Sequence, residues 1–279
     1  MKVILFGKPV ATKIYQDLEG KIKDLKRKPF LAVILVGENP ASLSYIKIKE
    51  EIAERLGIGF KLYHYPAMAL PGEVEKLIQD LNQNQNVSGI VVQLPLPEHI
   101  KTEKIIQSLS PEKDVDGFKS SFPAPTAQAI LEILKFYQIE IKNLPAGRQG
   151  KNIVIVGHGR LVGGPLEKIL QKQNIQATIC DLKTPNLGEK TLSADILVSA
   201  VGASGLIKPA MVKSETIIID AGTSEVGGKI VGDVSPEVYQ KVSTYTPNPG
   251  GVGPVTVACL MKNVVDASKK QYLNQESTS

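Results

Sequence analysis

Lys151-Asn152-Ile153-Val154-Ile155-Val156-Gly157-His158-Gly159-Arg160-Leu161-Val162-Gly163-Gly164-Pro165 is the stretch on which the fold turns. Its first part is a continuous β-branched run, the composition of a strand buried on both faces. Its second part is glycine-rich and ends where a proline fits the first turn of a helix. Strand, glycine turn and helix in that order present bare backbone amides and the positive end of a helix to an anion. The spacing Gly157-x-Gly159-x-x-x-Gly163 is one residue longer than the usual dinucleotide fingerprint. An ordinary tight turn of an α/β domain could use the same residues. The following strand, Ala177–Cys180, runs into Asp181. An acid there commonly accepts hydrogen bonds from the adenosine ribose, which favours the dinucleotide reading. The candidate cofactor contacts are Gly157, His158, Gly159, Arg160, Gly163, Asp181 and Thr223. Asp181 leans toward NAD because a carboxylate repels the extra phosphate of NADP. Arg160 and Lys183 could offset that repulsion, so NAD and NADP both stay open.

Strands and helices alternate on either side of this stretch. Downstream, Asn152–Val156, Ala177–Cys180, Ile196–Ser199 and Thr216–Ile219 read as strands, with helices over Pro165–Lys172 and Pro236–Lys241. Upstream, Leu31–Val36 and Val87–Leu94 are continuous apolar runs, and Glu73–Leu81 is amphipathic at helical spacing. Apolar strands joined by helices imply α/β domains with mainly parallel sheets covered by helices, the second Rossmann-like. The expected organisation is a catalytic domain over residues 1–122 and a dinucleotide-binding domain over 123–253. A C-terminal helix, 254–272 and strongest from Pro254 to about Lys269, packs back on the first domain. The boundary region holds the proline-rich piece Phe122–Thr126, a helix near Ala127–Tyr137, and Leu144–Gly150, which lacks periodicity and reads as a surface insertion. The polar tail Asn274–Ser279 is expected to fray.

The bulk numbers fit two soluble domains: 279 residues, 42% apolar, 22% charged. Net charge is +5, but the lysines are dispersed and aromatics are 5% with no tryptophan. No basic stripe interleaved with aromatics supports nucleic acid binding. No apolar run is long enough to span a bilayer, and the apolar part of Met1–Gly7 is too short for a signal peptide. Cys180 and Cys259 lie in apolar runs, as buried free thiols of a reducing compartment do, so a cytoplasmic location is expected. Two cysteines and three histidines without ligand spacing give no metal site.

A second informative segment is Asn39 to Gly57. Asn39 can cap a helix, Pro40 fits its first turn, and Gly57 fits the position after its end. At ~100° per residue, Tyr45, Lys49, Ile52, Ala53 and Leu56 share one stripe, while Lys47, Glu50, Glu51, Glu54 and Arg55 lie opposite. Lys49 thus points where the apolar residues point. An ammonium there loses hydration and its pKa falls, which suits a proton shuttle. Alternatively its charge snorkels out along the helix edge. Gln93 lies at the carboxyl end of its strand, where ligands of parallel sheets bind, and Asp116 lies in a turn-rich acidic stretch. Tyr245 to Thr256, with the run Pro249-Gly250-Gly251-Val252-Gly253-Pro254, reads as a hinge, a wall of the site, or both.

Four motifs carry a resemblance over nearly the whole chain: Tyr45-Ile46-Lys47-Ile48-Lys49, Val92-Gln93-Leu94-Pro95-Leu96-Pro97, Lys113-Asp114-Val115-Asp116-Gly117-Phe118, and Pro249-Gly250-Gly251-Val252-Gly253-Pro254-Val255-Thr256. In that order they resemble the bifunctional methylenetetrahydrofolate dehydrogenase/methenyltetrahydrofolate cyclohydrolases. The resemblance implies a folate domain, a Rossmann-type NAD(P) domain, a cleft between them and a homodimer. It implies that Lys49 is the acid/base of the cyclohydrolase, that Gln93 hydrogen-bonds it, that Tyr45 packs on the folate and that Asp116 holds the pterin. Val92, Leu94, Pro249, Gly250 and Gly251 join Tyr45, Lys49, Gln93 and Asp116 as substrate contacts. This chain departs from the family pattern in three places. Gly157-His158-Gly159 stands where the family usually has Gly-Arg-Ser, and Asp181-Leu182 replaces a His-Ser pair. The segment after Phe118 is shorter. Two other readings are a weakened family member that mainly binds folate or dinucleotide, and a different two-domain dehydrogenase. The last does not explain the Pro249–Pro254 segment.

Overall fold

The structure, a computed structural model, describes residues 2–119, 121–141 and 150–276. The chain runs β1 (Val3–Ile4), α1 (Gly7–Lys23), β2 (Phe30–Val36), α2 (Pro40–Arg55), β3 (Gly59–Tyr65), α3 (Pro71–Gln83), β4 (Gly89–Val92), α4 (Thr102–Ser108) and α5 (Pro125–Phe136). It continues through β5 (Ile153–Val156), α6 (Gly163–Lys172), β6 (Ala177–Cys180), α7 (Leu187–Leu192), β7 (Ile196–Ser199) and β8 (Ile217–Asp220). The hairpin β9 (Ser224–Val226) and β10 (Lys229–Val231), then α8 (Pro236–Lys241), β11 (Thr244–Tyr245) and α9 (Val252–Glu276), complete it. Contacts divide the chain into two compact units, Met1–Thr12 with Thr126–Thr256, and Lys13–Pro125 with Val257–Ser279.

In the second of these units, β2 is flanked by β3 and β4, all parallel. Ala32, Val33 and Ile34 of β2 are wholly buried, which is why that strand reads as an unbroken apolar run. Val74, Ile78 and Leu81 recur at helical spacing on α3 and join Ile34, Ile90, Ile105 and Leu109 in one core. Each such side chain contributes roughly 1.5–3 kcal/mol by leaving water. The strand β3 was not among the expected elements. Lys61 and His64 interrupt its apolar character because it is an edge strand, paired on one side only.

Helix α2 begins as its sequence implies. The Asn39 side chain accepts from the Ser42 N–H at 2.9 Å, and Gly57 takes φ +72° just beyond Leu56. Its most buried face is centred on Ser42, Ile46 and Ala53. Tyr45, Lys49 and Ile52 flank that face and are half-buried, so the expected stripe is rotated toward Ile46.

The other unit is a six-stranded parallel sheet in the order β1-β11-β8-β7-β5-β6. The chain leaves β5 for β6 on one side and then crosses to β7 on the other. The strand order therefore switches between β5 and β7, the point at which such sheets bind ligands. β1 belongs to this sheet although residues 1–122 were expected to form the other domain. Its short apolar strand finds a partner at the edge, with the Val3 N–H donating to Ser243 O at 2.7 Å and the Leu5 N–H to Tyr245 O at 2.8 Å.

Helix α9 is longer than the expected Pro254–Lys269 and takes in residues 274–276, which were expected to fray. Its last turn is tied down by the Tyr272 hydroxyl and the Lys26 ammonium, both donating to Glu276 Oε1 at 2.6 and 3.2 Å. Residues 277–279, and 144–149 of the expected surface insertion, lie outside the described residues. Cys180 and Cys259 are buried free thiols.

Candidate active site

The end of β4 and the flank of α2 bring two of the expected residues together. The Lys49 Nζ donates to Gln93 Oε1 at 2.9 Å. Gln93 is itself oriented, because its Nε2 donates to Leu94 O at 3.0 Å and its backbone N–H to Ile34 O at 2.9 Å. The carbonyl face of the amide is thereby turned to the lysine. Lys49 and Asp116 are each half-buried. Desolvation pulls the Lys49 pKa below that of an ordinary lysine, and the Asp116 carboxylate partly restores it. Asp116 is pushed up to about 6 by the same desolvation, against the opposing pull of Lys49. An amine with a lowered pKa and an acid with a raised one, each sensing the other, can pass a proton and hold a polar heterocycle. Tyr45 lies one turn before Lys49 on the same flank. Leu94 is half-buried against the core of this unit. Val92, expected as a substrate contact, is 2% exposed with its side chain in that core. A residue at the end of a fully covered strand can offer a ligand only its backbone.

The described residues on either side of position 120, which lies outside the described residues, are braced. Gly117 takes φ +76°, and a Cβ there would lie 2.5 Å from Phe122 O, so only glycine allows this approach. Asp114, wholly buried, accepts from the Lys119 N–H. From α9, the Asn263 amide donates to Val115 O at 2.8 Å and Pro123 O at 2.9 Å. Lys113 donates to Leu81 O and Asn84 O, both at 2.7 Å, and so caps the carboxyl end of α3. Burial lowers its pKa to about 8. Neither Lys113 nor Asn263 was picked out in the sequence as a residue that shapes the site. A lysine between apolar strands and an asparagine inside an apolar helix were the signals.

In the six-stranded unit, β5 leads into the glycine loop. Gly157 takes φ +101°, and a Cβ on it would lie 2.5 Å from Ala200 O. A Cβ on Gly163 would lie 1.8 Å from Gly157 O, so α6 can start only against a bare backbone. No side chain caps the α6 N-terminus; the Gly164 N–H donates to Gly159 O at 3.1 Å and Pro165 carries no N–H, so the loop closes back on the helix start and offers an anion its glycine backbone and the positive end of the helix. These features fit a dinucleotide pyrophosphate. His158, Gly159 and Arg160 are exposed on the loop, and the His158 Nε2 is 2.7 Å from the Glu167 carboxylate on α6. Asp181 is exposed beyond β6. Its Oδ1 accepts from the Thr184 hydroxyl and the Lys183 N–H, which hold its pKa below the usual carboxylate value. Thr223 is exposed beyond β8. Pro249, Gly250 and Gly251 form a tight turn in this same unit, where Gly250 takes φ +103° and its carbonyl accepts from the Gly7 N–H at 2.9 Å. They therefore count in a different unit from Lys49, Gln93 and Asp116. Among the described residues no cluster of three or more His, Cys, Asp or Glu could hold a metal ion.

A sheet with a glycine-loop switch point in one unit and a desolvated lysine beside an amide and an acid in the other define a dinucleotide enzyme with an acid/base centre. Comparison with known proteins narrows that class to one family. The model of the tetrahydrofolate dehydrogenase/cyclohydrolase catalytic domain matches residues 5–116, and that of the NAD(P)-binding domain of the same family matches residues 124–272. The chain belongs to the tetrahydrofolate dehydrogenase/cyclohydrolase family. It is 40% identical over 286 residues to the bifunctional protein FolD of Lactobacillus acidophilus, covering 97% of this chain and 99% of that one. The crystal structure of the bifunctional enzyme FolD, methylenetetrahydrofolate dehydrogenase/cyclohydrolase, from Campylobacter jejuni superposes with a TM-score of 0.89 at 38% identity, over 97% of this chain and 99% of that. The Trypanosoma brucei dehydrogenase-cyclohydrolase, complexed with NADP and an inhibitor, gives 0.88 at 30% identity over 96% and 98%.

Proposed function

We infer that this protein oxidises 5,10-methylenetetrahydrofolate to the 5,10-methenyl cation with NAD or NADP, and hydrolyses that cation to 10-formyltetrahydrofolate. The observation that carries the reading is the Lys49–Gln93 hydrogen bond beside Asp116, in a chain of this family. The hydrolytic step needs a base that takes a proton from the attacking water and an acid that returns one to the departing ring nitrogen. A lysine with a lowered pKa serves both roles near neutral pH. Gln93 holds the Lys49 amine in place, Asp116 accepts hydrogen bonds from the pterin, and Tyr45 covers it. The dinucleotide, when bound, supplies the hydride acceptor. The chain's own contribution to that step is alignment, through Gly157, Gly163 and the positive end of α6, with Asp181 toward the adenosine ribose. Because Asp181 is an acid and no Arg-Ser pair follows Gly157, we assign a preference for NAD.

The proposal puts the folate chemistry in residues 1–122, aided by helix 254–272, and the dinucleotide in 123–253. It extends to a homodimer, as the family resemblance implies, and to a cytoplasmic location, as the buried free thiols support. Among the described residues no helix is long and apolar enough to cross a membrane. The test follows methenyltetrahydrofolate absorbance with the purified protein. Added methenyltetrahydrofolate should be consumed without dinucleotide. Methylenetetrahydrofolate should be converted only when NAD or NADP is supplied, faster with NAD. Absence of the first reaction refutes the role of the lysine centre, and absence of the second refutes that of the glycine loop.

A further inference from the structure

Asp220 and Asp233 are buried in the six-stranded unit at 1% and 0% exposure, and among the described residues neither forms an ion pair. Hydrogen-bond donors meet their charge instead. Asp220, the last residue of β8, accepts from the Gly222 and Asp233 N–H groups at Oδ1, both at 3.1 Å. Its Oδ2 accepts from the Val234 N–H at 3.2 Å and the Tyr239 hydroxyl at 2.9 Å. Asp233 accepts from the Ser199 hydroxyl and the Val201 N–H at Oδ2, at 2.8 and 2.7 Å, and from the Ala203 N–H at Oδ1, at 2.8 Å. The neighbouring chain leaves no slack. A Cβ on Gly222 would lie 2.1 Å from the Asp233 carboxylate, and one on Gly232 would lie 1.9 Å from Asp220 Oδ2.

Two buried carboxyl groups without a cation are costly to keep, and an apolar pair would stabilise the sheet as well or better. What they secure is a backbone path. Asp220 ties together the two ends of the β9–β10 hairpin, and Asp233 ties that base to the loop after β7. The Ser224 hydroxyl adds a third tie, donating to Gly202 O at 2.8 Å. This loop is the one that touches the glycine turn: the same Cβ on Gly157 that meets Ala200 O would lie 3.1 Å from Val201 N. The loop therefore walls the switch point between β5 and β7. Asp181 marks the β6 side for the adenosine, so the β7–β8 side receives the nicotinamide half.

We propose that Asp233, braced by Asp220, is a positioning residue for the nicotinamide end of the dinucleotide, acting through the Val201–Ala203 backbone. The proposal builds on the bifunctional function proposed for this chain, and the two activities make the test internal. Asp233→Asn keeps the shape but puts an amide NH2 in place of one acceptor oxygen, so that a donor faces a donor. In the full-length enzyme the dinucleotide KM should rise roughly tenfold or more, the loss expected for one charge-assisted hydrogen bond. Dinucleotide-independent hydrolysis of methenyltetrahydrofolate should stay within about twofold of wild type. A proportional loss of both activities means that the carboxylate only holds the fold, and overturns the proposal. So does an unchanged dinucleotide KM. If Asp233→Asn does not fold, Ser199→Ala decides: it removes one donor and keeps both backbone contacts. A roughly two- to threefold rise in dinucleotide KM with intact hydrolysis supports the proposal, and no rise overturns it. If the wild-type protein lacks either activity, the bifunctional function fails separately. Direct titration of the same variants with NADH or NADPH then decides the role of Asp233: weakened binding supports it, and unchanged binding overturns it.

Discussion

The two units hold charge in opposite ways. In the three-stranded unit the working groups are side chains, with an ammonium and a carboxylate whose pKa values are drawn toward each other by desolvation. In the six-stranded unit the proposed working surface is backbone: a glycine turn, a helix N-terminus without a side-chain cap, and buried carboxyl groups that accept from N–H groups. Moving a proton needs a titratable group whose pKa the surroundings can set. Aligning two ligands for hydride transfer needs a fixed surface, which backbone supplies with fewer rotatable bonds than side chains. Mutations should therefore separate the two activities.

The largest effect is expected at Lys49. Lys49→Met should lower cyclohydrolase turnover by roughly a thousandfold, within the range for removal of a general acid/base, while folate binding persists. Near-normal hydrolysis by this variant would break the contrast at its centre. Gly163→Ala should do the reverse. A Cβ placed 1.8 Å from a backbone oxygen forces the loop to move. Overpacking of that kind costs ~1–3 kcal/mol, so dinucleotide affinity should fall by roughly 10- to 100-fold in a titration with NADH, with hydrolysis spared. Equal damage to both activities would show that the backbone site and the side-chain site are not separable.

A smaller effect is expected at Asp181. Asp181→Ala should shift the ratio of kcat/KM for NAD over NADP toward NADP by about tenfold, the worth of one hydrogen bond from a ribose hydroxyl to a charged acceptor. An unchanged ratio would mean that this acid does not read the ribose. The finest test is a pH profile. Asp116 raises the Lys49 pKa, so Asp116→Asn should lower it and move the rising limb of cyclohydrolase kcat to lower pH. Below pH about 6 the wild-type Asp116 is itself protonated, and the two profiles should converge there. An unmoved limb would show that the two groups are not coupled.

Much of this was legible in the chain. The limits of β6, β7 and α8 follow directly from apolar runs and a proline, and the start and end of α2 from Asn39, Pro40 and Gly57. Local signals sufficed there because the deciding interactions are between near neighbours. Lys49 was legible because a charged residue interrupts an apolar face. The membership of β1 was not: two apolar residues pair with β11, more than two hundred positions away, and nothing local records it. Nor was the Asp220–Asp233 network, whose members read separately as the end of a strand and a residue after a hairpin.

The sequence by itself determined which residues are candidates for chemistry, since helix period, strand ends and glycine spacing place Lys49, Gln93 and Gly157 on the elements that carry them, and the family motif adds Asp116. Only the tertiary structure decided how those groups are tuned. The pKa of Lys49 depends on what desolvates it, the aim of Gln93 on a bond to its neighbour's carbonyl, and the rigidity of the loop after β7 on carboxylates brought from β8 and beyond. Those are long-range contacts, and their free energies arise from removal from water by residues distant in the chain.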